Sequence, residues 1–598
     1  MGLLQRAVET FDCNHARVGV YYEEENEPLA PVAHMIAKAN VEITLDQDEC
    51  FLSARAVEKA EEKTIIPVTE GSAGRSGTKA YMRPHPLCDK LSYLTAEKSY
   101  YIPQLESWAQ SPFSDPKLRA ILAYVRKGSI KQDLDALNVK EDAFVRWRVV
   151  GLGEDSGPCW TDQKLFQAYI AYSGAGQEAV PSLCMVTGEA APAAQQHAKG
   201  IVALYGNAKL LSANDKDGFT YRGRFTDEKQ AATVGFIASQ KAHNALRWLI
   251  ANQGTSGVFG GRFFLCWNPQ GIRVGSPVQA FLSSKATIQT APSDYKAQLK
   301  ATLIGRKKEL QLRGNETAVV AAFDAATTGR LSVTYYNELP VVTFLDRLCN
   351  WDAHCCWWNG SFGIRALSIV ELTNCAFGTQ RVEKEKVRLV TDDRVMKKEL
   401  QTLLACRLRE GVFPDHIRMA LVERAGMPQA YDPAIWRRVL RAACAAIHMS
   451  AYQRKGEEVM SWSLDTHDRS FQYGRLLAAM ERAEEDYYYL TQEDNRQTNA
   501  IKLLSVFRKR PWTIYEQVDC QLRTAYLPRL KPKQKNRYLR LKAEIAEIFR
   551  SFPEADLNKP LSELYLLGYD LQRNEFFKHK QDEKQNEKGE DPDEQAGE

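Results

Sequence analysis

Long hydrophobic runs and a strong charge of one sign are both missing from this 598-residue chain. Its apolar stretches, such as residues 318–323, end far short of the about 20 residues that a membrane-spanning helix needs. The formal net charge of +4 is nearly neutral for this length, so a polyanion would have to bind a local basic surface. Residues 1–13 carry Glu9 and Asp12 and lack the apolar segment of a signal peptide. We therefore expect a cytoplasmic protein.

A disulfide framework is also missing. The thirteen cysteines are an odd number and are spread over the whole length, whereas disulfide-rich secreted proteins are short and dense in cysteine. This distribution predicts reduced thiols. The chain is also too long for one hydrophobic core, so we expect roughly two to four domains.

Two sequence patterns divide the chain. Up to about residue 338, short β-branched or aromatic runs bounded by turn residues are mixed irregularly with isolated helices, which predicts an α+β N-terminal region. The predicted strands are residues 18–22, 146–152, 261–267, 319–323 and 331–336, and residues 226–253 are predicted to form one long helix. From about residue 384 onward, apolar residues recur with a period of 3.6, which predicts an all-α C-terminal helical bundle. Its predicted helices are residues 395–408, 415–423, 433–449, 471–489, 499–506, 514–526 and 536–549.

These patterns predict four parts. An α+β domain covers residues 1–345, a helical connecting region covers 346–459, and a helical bundle covers 460–571. Residues 572–598 are rich in Lys, Glu, Asp and Gln and have almost no large apolar side chain, so we expect a disordered tail.

A glycine-rich segment, residues 71–79, resembles a phosphate-binding loop. A P-loop requires Gly-Lys-Ser/Thr, but here Thr78 precedes Lys79 and Ala80 follows it, so no hydroxyl stands at the magnesium position. The glycines still let backbone N–H groups approach a ligand closely, and Arg75 and Lys79 add positive charge. The segment therefore predicts either a nucleic-acid contact or a solvent-exposed loop.

The dipeptide His467-Asp468 is found in metal-dependent HD phosphohydrolases and nucleases. Such sites need a further upstream histidine, and neither His416 nor His448 has a supporting pattern. Asp465 and Asp468 instead favour a helix start, because carboxylates are stabilised near the N-terminal end of a helix.

A dense group of tryptophans and cysteines occupies residues 351–358. Zinc sites usually need paired ligands separated by a short gap, and the adjacent Cys355 and Cys356 cannot easily face one ion together. We expect a packed core segment and no metal site.

Polar residues follow one stripe of the predicted long helix. Gln240, Asn244 and Arg247 are spaced at i, i+4 and i+7, and Lys241 lies beside them. Amide and guanidinium groups on one face could donate to phosphates or base edges, although a solvated polar face has the same pattern.

The strongest local charge lies between residues 502 and 550. This segment has thirteen Lys or Arg residues against four acidic ones and includes Trp512, Tyr526 and Tyr538. Proteins that bind single-stranded nucleic acids combine such features: cationic side chains contact the phosphate backbone, and aromatic rings stack on the bases.

The sequence resembles the Csd-type large subunit of type I-C CRISPR Cascade over nearly its whole length. The resemblance depends on segments 210–225, 238–248, 326–336, 351–358 and 465–481, in that order. It implies a subunit of a crRNA-bound complex with Cascade backbone and crRNA-processing subunits. Such proteins recognise the short PAM beside the target, help to open the duplex and hold the displaced strand. A recruited helicase–nuclease cuts the target, so we expect no catalytic site, cofactor or metal.

The resemblance gives the candidate residues their predicted roles. The candidate contacts to double-stranded DNA and the PAM are Gly71, Ser72, Gly74, Arg75, Gly77, Lys79, Asn214, Gln240, Lys241, Asn244 and Arg247. The candidate contacts to the displaced strand are Arg508, Lys509, Arg510, Lys531, Lys533, Lys535, Arg537 and Arg540.

The resemblance to type I-C large subunits also implies that the same gene encodes a second, shorter protein. The small subunit of such systems is made by internal initiation within the large-subunit message. Met460 lies just before the predicted basic bundle, and the codons for Lys455-Gly-Glu can spell a purine-rich ribosome-binding sequence. We predict Met460 as the alternative start, with Met449 and Met480 as rivals.

Two other classes of function stay open at this point. One is a metal-dependent nuclease that uses His467 and Asp468, and the other is a scaffold that binds only proteins.

Overall fold

The computed structural model describes most of the chain, and its described residues form two compact units. The first unit comprises Met1–Val258, Arg262–Ser276 and Asn315–Val341, and the second comprises Phe259–Gly261, Pro277–Gly314 and Val342–Glu598. The described residues are 1–75, 80–176, 181–212, 233–253, 258–259, 261–271, 287–288, 308, 316–327, 329–359, 363–383, 385–409, 411–455, 463–492 and 496–589.

Two four-stranded sheets form the framework of the first unit. One has the strand order Phe51–Ala56, Val41–Leu45, Val145–Val149, Gly157–Pro158, and only its central pair is parallel. The other has the order Arg330–Pro340, Thr317–Thr327, Arg262–Trp267, Val258–Phe259. Two small antiparallel pairs complete the strands of this unit: His34–Lys38 with Lys63–Pro67, and Ser182–Leu183 with Ala190–Ala191.

The strand Arg262–Trp267 lies in the core of the first unit, and all six of its residues are buried. Phe263, Leu265 and Trp267 lie in one apolar cluster with residues of the helices Leu3–Cys13 and Phe236–Gln253. The Trp267 indole N–H donates to Thr10 Oγ1 at 3.0 Å, so the buried polar atom is satisfied. The other helices of the first unit are Glu70–Ala73, Leu91–Thr95, Tyr101–Ala109, Pro116–Lys127, Ile130–Asp133 and Gln163–Ala175.

The second unit is mostly helical. Its helices are Val341–His354, Ile369–Phe377, Asp393–Arg409, Asp415–Ala425, Pro433–Lys455, Arg469–Leu490, Asn499–Lys502, Leu504–Phe507, Pro511–Gln521, Pro532–Phe549 and Leu564–Gly589. Its strands are Thr287–Ile288, Cys356–Trp358, Ile364–Ala366, Thr379–Glu383 and Lys386–Val390. The first three form a sheet with Ile364–Ala366 in the middle, and the last two form an antiparallel hairpin.

Two glycines bring the helices Arg469–Leu490 and Leu564–Gly589 into direct backbone contact. A Cβ at Gly474 would lie 2.0 Å from the Tyr565 carbonyl oxygen, and a Cβ at Gly568 would lie 2.0 Å from the Phe471 carbonyl oxygen. Only glycine fits at either position, so the sequence fixes where the two helices cross.

The predicted fold class is confirmed, with a mixed N-terminal region and a mainly helical C-terminal region. The predicted strand 18–22 is wrong, because Val18 forms only an isolated bridge with Leu29. The predicted long helix begins at Phe236 within the described residues, because Gly235 pairs with Ala193 in a β-bridge, and residues 226–232 are not described.

The last helix of the second unit extends into residues 572–598, the segment predicted to be a disordered tail. The helix that starts at Leu564 continues to Gly589, and both Arg573 and Phe576 are buried, so residues 572–577 still pack on the second unit. The division between residues 346–459 and 460–571 stays a prediction, because both stretches lie in one compact unit. Among the described helices, none is both long enough and apolar enough to cross a membrane.

Candidate nucleic-acid interface

The helix Pro532–Phe549 has one buried face, and exposed cations surround its N-terminal half. Tyr538, Leu541, Ile545 and Phe549 are buried. The exposed side chains from its N-cap to its middle include Lys531, Lys533, Lys535 and Arg540. The helix therefore packs through its aromatic and aliphatic stripe and presents positive charge to solvent.

Exposed cations in this region divide into paired and unpaired groups. Lys509, Arg510, Lys531, Lys535 and Arg540 have no ion-pair partner among the described residues. The paired group has structural roles: Arg508 binds Glu423 at 2.7 Å, Arg537 binds Asp486, and Lys542 binds Asp519 at 2.7 Å. The predicted residues Arg508 and Arg537 thus neutralise carboxylates of the protein itself, whereas the unpaired group keeps its charge available.

Two of the unpaired cations lie at the unfavourable end of a helix. Lys531 is the N-cap of Pro532–Phe549, Lys535 follows one turn later, and the first turn has no acidic residue. The N-terminal end of a helix has a partial positive charge, so each cation there costs about 0.3–1 kcal/mol at low ionic strength. A bound anion would remove this cost.

Tyrosines form a cluster next to these cations. The rings of Tyr487 and Tyr526 lie 4.7 Å apart, and Arg529 donates to the Tyr487 hydroxyl at 2.9 Å. Tyr488 lies 6.0 Å from Tyr526, and Tyr489 is 72% exposed. Arg529 is followed after one residue by Lys531, so the cluster adjoins the cationic end of the helix. The sequence prediction missed Tyr487 and Tyr489, because both lie at the end of a long helix whose apolar pattern explained them.

Tyr538 is not a stacking platform, contrary to the prediction. Its side chain is buried and its hydroxyl donates to Asp519 at 2.6 Å. Burial raises the pKa of Tyr538 above its usual range. Asp519 also accepts from Lys542 and Arg523, so this carboxylate fixes the position of the basic helix. Trp512 is half-buried, with its ring 5.4 Å from Tyr515.

The glycine-rich segment begins as a helical turn. Thr69 caps Glu70–Ala73, and its Oγ1 accepts from the Ser72 N–H at 3.0 Å. Ser72 is buried, and its Oγ lies 2.9 Å from His85 Nδ1. A Cβ at Gly74 would lie 2.4 Å from Gln196 Oε1, so a larger residue there would displace the Gln196 amide. The predicted residues Gly77 and Lys79, with the rest of 76–79, lie outside the described residues.

Arg75 points into the protein, which corrects its predicted role. Its guanidinium makes two hydrogen bonds to Asp89, at 2.5 and 2.6 Å, and lies 4.2 Å from the Tyr93 ring centre. The Asp89 carboxylate is fully buried and also accepts from the backbone N–H groups of His85 and Lys90. The charge of Arg75 is therefore used to neutralise a buried carboxylate.

A groove of about 750 Å³ lies beside this turn in the first unit. Its lining residues include Gly71, Arg83, Tyr172, Gln195 and Gln196. Arg83 is exposed and has no ion-pair partner in the described part of the chain. The sequence prediction missed Arg83, Gln195 and Gln196 because they lie in two loops far apart along the chain, with no shared periodicity.

Glu70 stands at the edge of the same groove. Its carboxylate accepts from the backbone N–H of Gln195 at 3.1 Å, which ties the turn to the loop across the groove. Burial raises the pKa of this carboxyl group above its ordinary value. The two walls of the groove are therefore held together by a side chain of the turn itself.

The predicted polar stripe of the helix Phe236–Gln253 is also turned inward. Gln240 and Asn244 are buried, and the Asn244 amide donates to the carbonyl oxygens of Ala30, Pro31 and His34. Arg247 donates to the Lys199 carbonyl, and burial lowers the pKa of its guanidinium.

Lys241 and Asn214 are the two remaining candidate DNA contacts of this group. Lys241 binds Asp12 at 2.6 Å, so its charge is compensated at the surface. Asn214 lies outside the described residues. The stripe thus joins the helix to neighbouring loops. Asn244 and Arg247 donate their hydrogen bonds within the protein, so these groups do not form a donor face for DNA.

The two segments tested for metal chemistry have structural contacts. Asp468 is the N-cap of Arg469–Leu490 and accepts from the Phe471 N–H at 2.9 Å, as the helix-start interpretation predicts. His467 Nε2 lies 3.1 Å from Ser551 Oγ. Trp351 and Cys355–Trp357 are buried, as predicted for a core segment. Across the described ranges, no three histidine, cysteine or acidic side chains are grouped to hold a metal ion.

Comparison with protein families identifies a relationship over most of the chain. A family model described as CRISPR-associated protein (Cas_Csd1) matches residues 19–577. No curated protein matches the chain.

Proposed function

Because the chain belongs to the Cas_Csd1 family of CRISPR-associated proteins, we propose that it is the large subunit of a type I-C Cascade effector complex. In this role it recognises the PAM in double-stranded target DNA, promotes duplex opening and R-loop formation with the crRNA, and holds the displaced strand. It catalyses no reaction itself, and a recruited helicase–nuclease cuts the target. The structural roles of Asp468 and His467 favour this proposal over the HD-nuclease alternative.

The observation that carries the proposal is the unpaired cationic surface beside the tyrosine cluster. Lys531, Lys535 and Arg540 lack counter-ions among the described residues, and Tyr487 is hydrogen-bonded to Arg529, two residues before Lys531. Phosphates of a displaced strand would neutralise the cations, and exposed rings would stack on unpaired bases at about 1–3 kcal/mol per base. A scaffold that binds only proteins would have no use for an aromatic platform next to an uncompensated helix end.

PAM recognition belongs to the first unit in this proposal. The groove beside Gly71 has Arg83 and the exposed Gln195 on its walls, so donors surround a backbone position that has no side chain. Donors of this kind suit the minor groove, where the base pattern distinguishes mainly A·T from G·C. Arg83 and Gln195 replace Arg75 and Asn244 in this role, because those two are used inside the protein.

We also propose that Met460 starts a separate small subunit. Met460 lies outside the described residues, but the product would contain both helices of the glycine crossing, Arg469–Leu490 and Leu564–Gly589. It would lose the hydrogen bond from the Trp357 indole to Asp570, which is 2.6 Å long, and the contact of Trp436 with Tyr569. The separate product would therefore expose this side of the last helix to another subunit.

The central experiment measures how tightly the assembled, crRNA-loaded complex holds the displaced strand. The triple variant Lys531→Ala, Lys535→Ala, Arg540→Ala should lower the slope of log affinity against log salt by about 2, since each single-strand phosphate contact contributes about 0.7. Arg550→Ala is the matched control: it lies just past the end of the same helix, and Glu547 neutralises it at 2.6 Å. Equal slopes for the triple variant and the control would refute the proposed surface.

A further inference from the structure

An exposed hairpin of the second unit places two arginines directly opposite each other. Its strands Thr379–Glu383 and Lys386–Val390 pair so that Arg381 is the register partner of Arg388. Both side chains are exposed, and neither has an ion-pair partner among the described residues. Directly opposed like charges destabilise a strand pair, so folding alone gives no reason for this arrangement.

The base of the hairpin is firmly attached to the helices around it. Arg424 donates to the Gly378 carbonyl, and Gln380 Oε1 accepts from the Asp432 N–H at 2.9 Å. Leu389 is buried. A Cβ at Gly378 would lie 2.5 Å from the Asn374 carbonyl oxygen, so the chain leaves the helix Ile369–Phe377 through a position that only glycine fits.

Beyond this base, most of the described side chains of the hairpin are exposed to solvent. Val382, the strand neighbour of Arg381, is 73% exposed on the other face of the ribbon. The arginine pair is thus presented on a fixed element, with no carboxylate of the described chain to bind it.

We propose that this hairpin binds the phosphodiester backbone of a nucleic acid through Arg381 and Arg388. Guanidinium groups match phosphate oxygens with two parallel hydrogen bonds, and a phosphate between the two arginines would turn their repulsion into two attractions. A two-stranded ribbon also fits the major groove of a duplex. The arrangement of the two guanidinium groups suits an anion, and the choice of a nucleic acid over an acidic protein rests on the proposed function.

The test uses the purified full-length chain and three labelled probes of one sequence: duplex DNA, single-stranded DNA and single-stranded RNA. The double variant Arg381→Ala, Arg388→Ala should lower the salt slope by about 1.4 for a single strand or about 1.8 for a duplex. The probe that shows the loss identifies the strand. Arg437→Ala is the matched control, because Arg437 is an exposed arginine of the helix Pro433–Lys455 in the same unit.

A second variant separates binding from folding. Arg381→Glu places opposite charges across the strands, so the melting temperature should stay the same or rise while the salt slope falls. Unchanged slopes for all three probes with both hairpin variants would overturn this proposal. The proposed function would then stand if the Lys531, Lys535 and Arg540 variant still lowered the slope. A wild-type chain that binds none of the probes would overturn the hairpin proposal alone, because the proposed function is tested in the assembled, crRNA-loaded complex.

Discussion

Arg75 in the first unit and Lys531 in the second unit have opposite electrostatic surroundings. The Arg75 guanidinium is mostly buried against Asp89, and its charge is balanced inside the protein. Lys531 is exposed at the positive end of a helix, with no carboxylate of the described residues near enough to pair with it. A cation that the fold has neutralised supports stability, whereas a cation that the fold leaves uncompensated is available to a ligand.

The same contrast holds for their neighbours. In the first unit Asn244 and Arg247 donate to backbone carbonyl groups, whereas Arg83 beside the groove has no ion-pair partner among the described residues. In the second unit Arg508 and Arg537 have carboxylate partners, but Lys509, Arg510 and Arg540 have none in the part of the chain that the structure describes. Substitutions that separate stability from binding can therefore test the comparison on each side.

The largest effect should come from Arg75→Ala. The variant leaves the buried Asp89 carboxylate without its cation, which should lower the free energy of unfolding of the first unit by about 3–5 kcal/mol. Urea unfolding followed by tryptophan fluorescence measures it. Arg83→Ala is the control and should change stability by less than about 0.5 kcal/mol, because Arg83 is exposed and unpaired. Similar small changes in both variants would mean that Arg75 is not a structural cation.

Asn244→Ala should give the next largest effect. Three buried carbonyl groups share the Asn244 amide as donor, so the loss should cost about 1–3 kcal/mol of unfolding free energy. The affinity of the folded protein for PAM-bearing duplex should not change. A variant of wild-type stability with weakened DNA binding would restore the original interpretation of Asn244 as a DNA contact.

The pH dependence of the two units should have opposite signs. Burial raises the pKa of Glu484 in the second unit to about 7, from an ordinary value of 4.5. Between these two values the folded state keeps a proton that the unfolded state has released, so stability falls as the pH rises. Glu484→Gln should remove this loss and stabilise the second unit by about 1–3 kcal/mol at pH 8, with little change at pH 4.

His85 in the first unit provides the opposite case. Burial lowers the pKa of His85 to about 4, from an ordinary value of 6.5, so the folded state binds fewer protons in this window and stability falls as the pH decreases through it. His85→Gln should reduce this acid sensitivity. Urea unfolding at several pH values measures both variants, and the same sign of change in both would contradict the assignment.

The smallest effect should come from Lys531→Asp. An aspartate at the N-cap can accept from the first backbone N–H groups and suits the positive helix end, so stability should rise by about 0.5–1 kcal/mol. The same change should reduce the salt slope for single-stranded DNA by about 0.7. A loss of stability would show that Lys531 is compensated after all, and the comparison between the two units would fail.

Several features follow from local sequence and could be predicted from it. The period-3.6 pattern located the helices Asp393–Arg409, Asp415–Ala425 and Pro433–Lys455, and Asp468 was identified as a helix start. The hairpin Thr379–Val390 and the helix Leu564–Gly589 were missed. The hairpin has charged residues in both strands, and the last helix runs into polar sequence, so neither has a clear apolar pattern.

The sequence by itself determined the fold class, the family resemblance and the positive excess of residues 502–550. Only the tertiary structure decided which charges stay available. Arg75 pairs with a residue 14 positions away, and Arg508 pairs with one 85 positions away, across intervening helices. Coulomb attraction depends on distance in space and on burial, and neither can be read from spacing along the chain. For that reason the sequence could locate the basic segments, but it could not separate the cations that hold the protein together from those that remain for a nucleic acid.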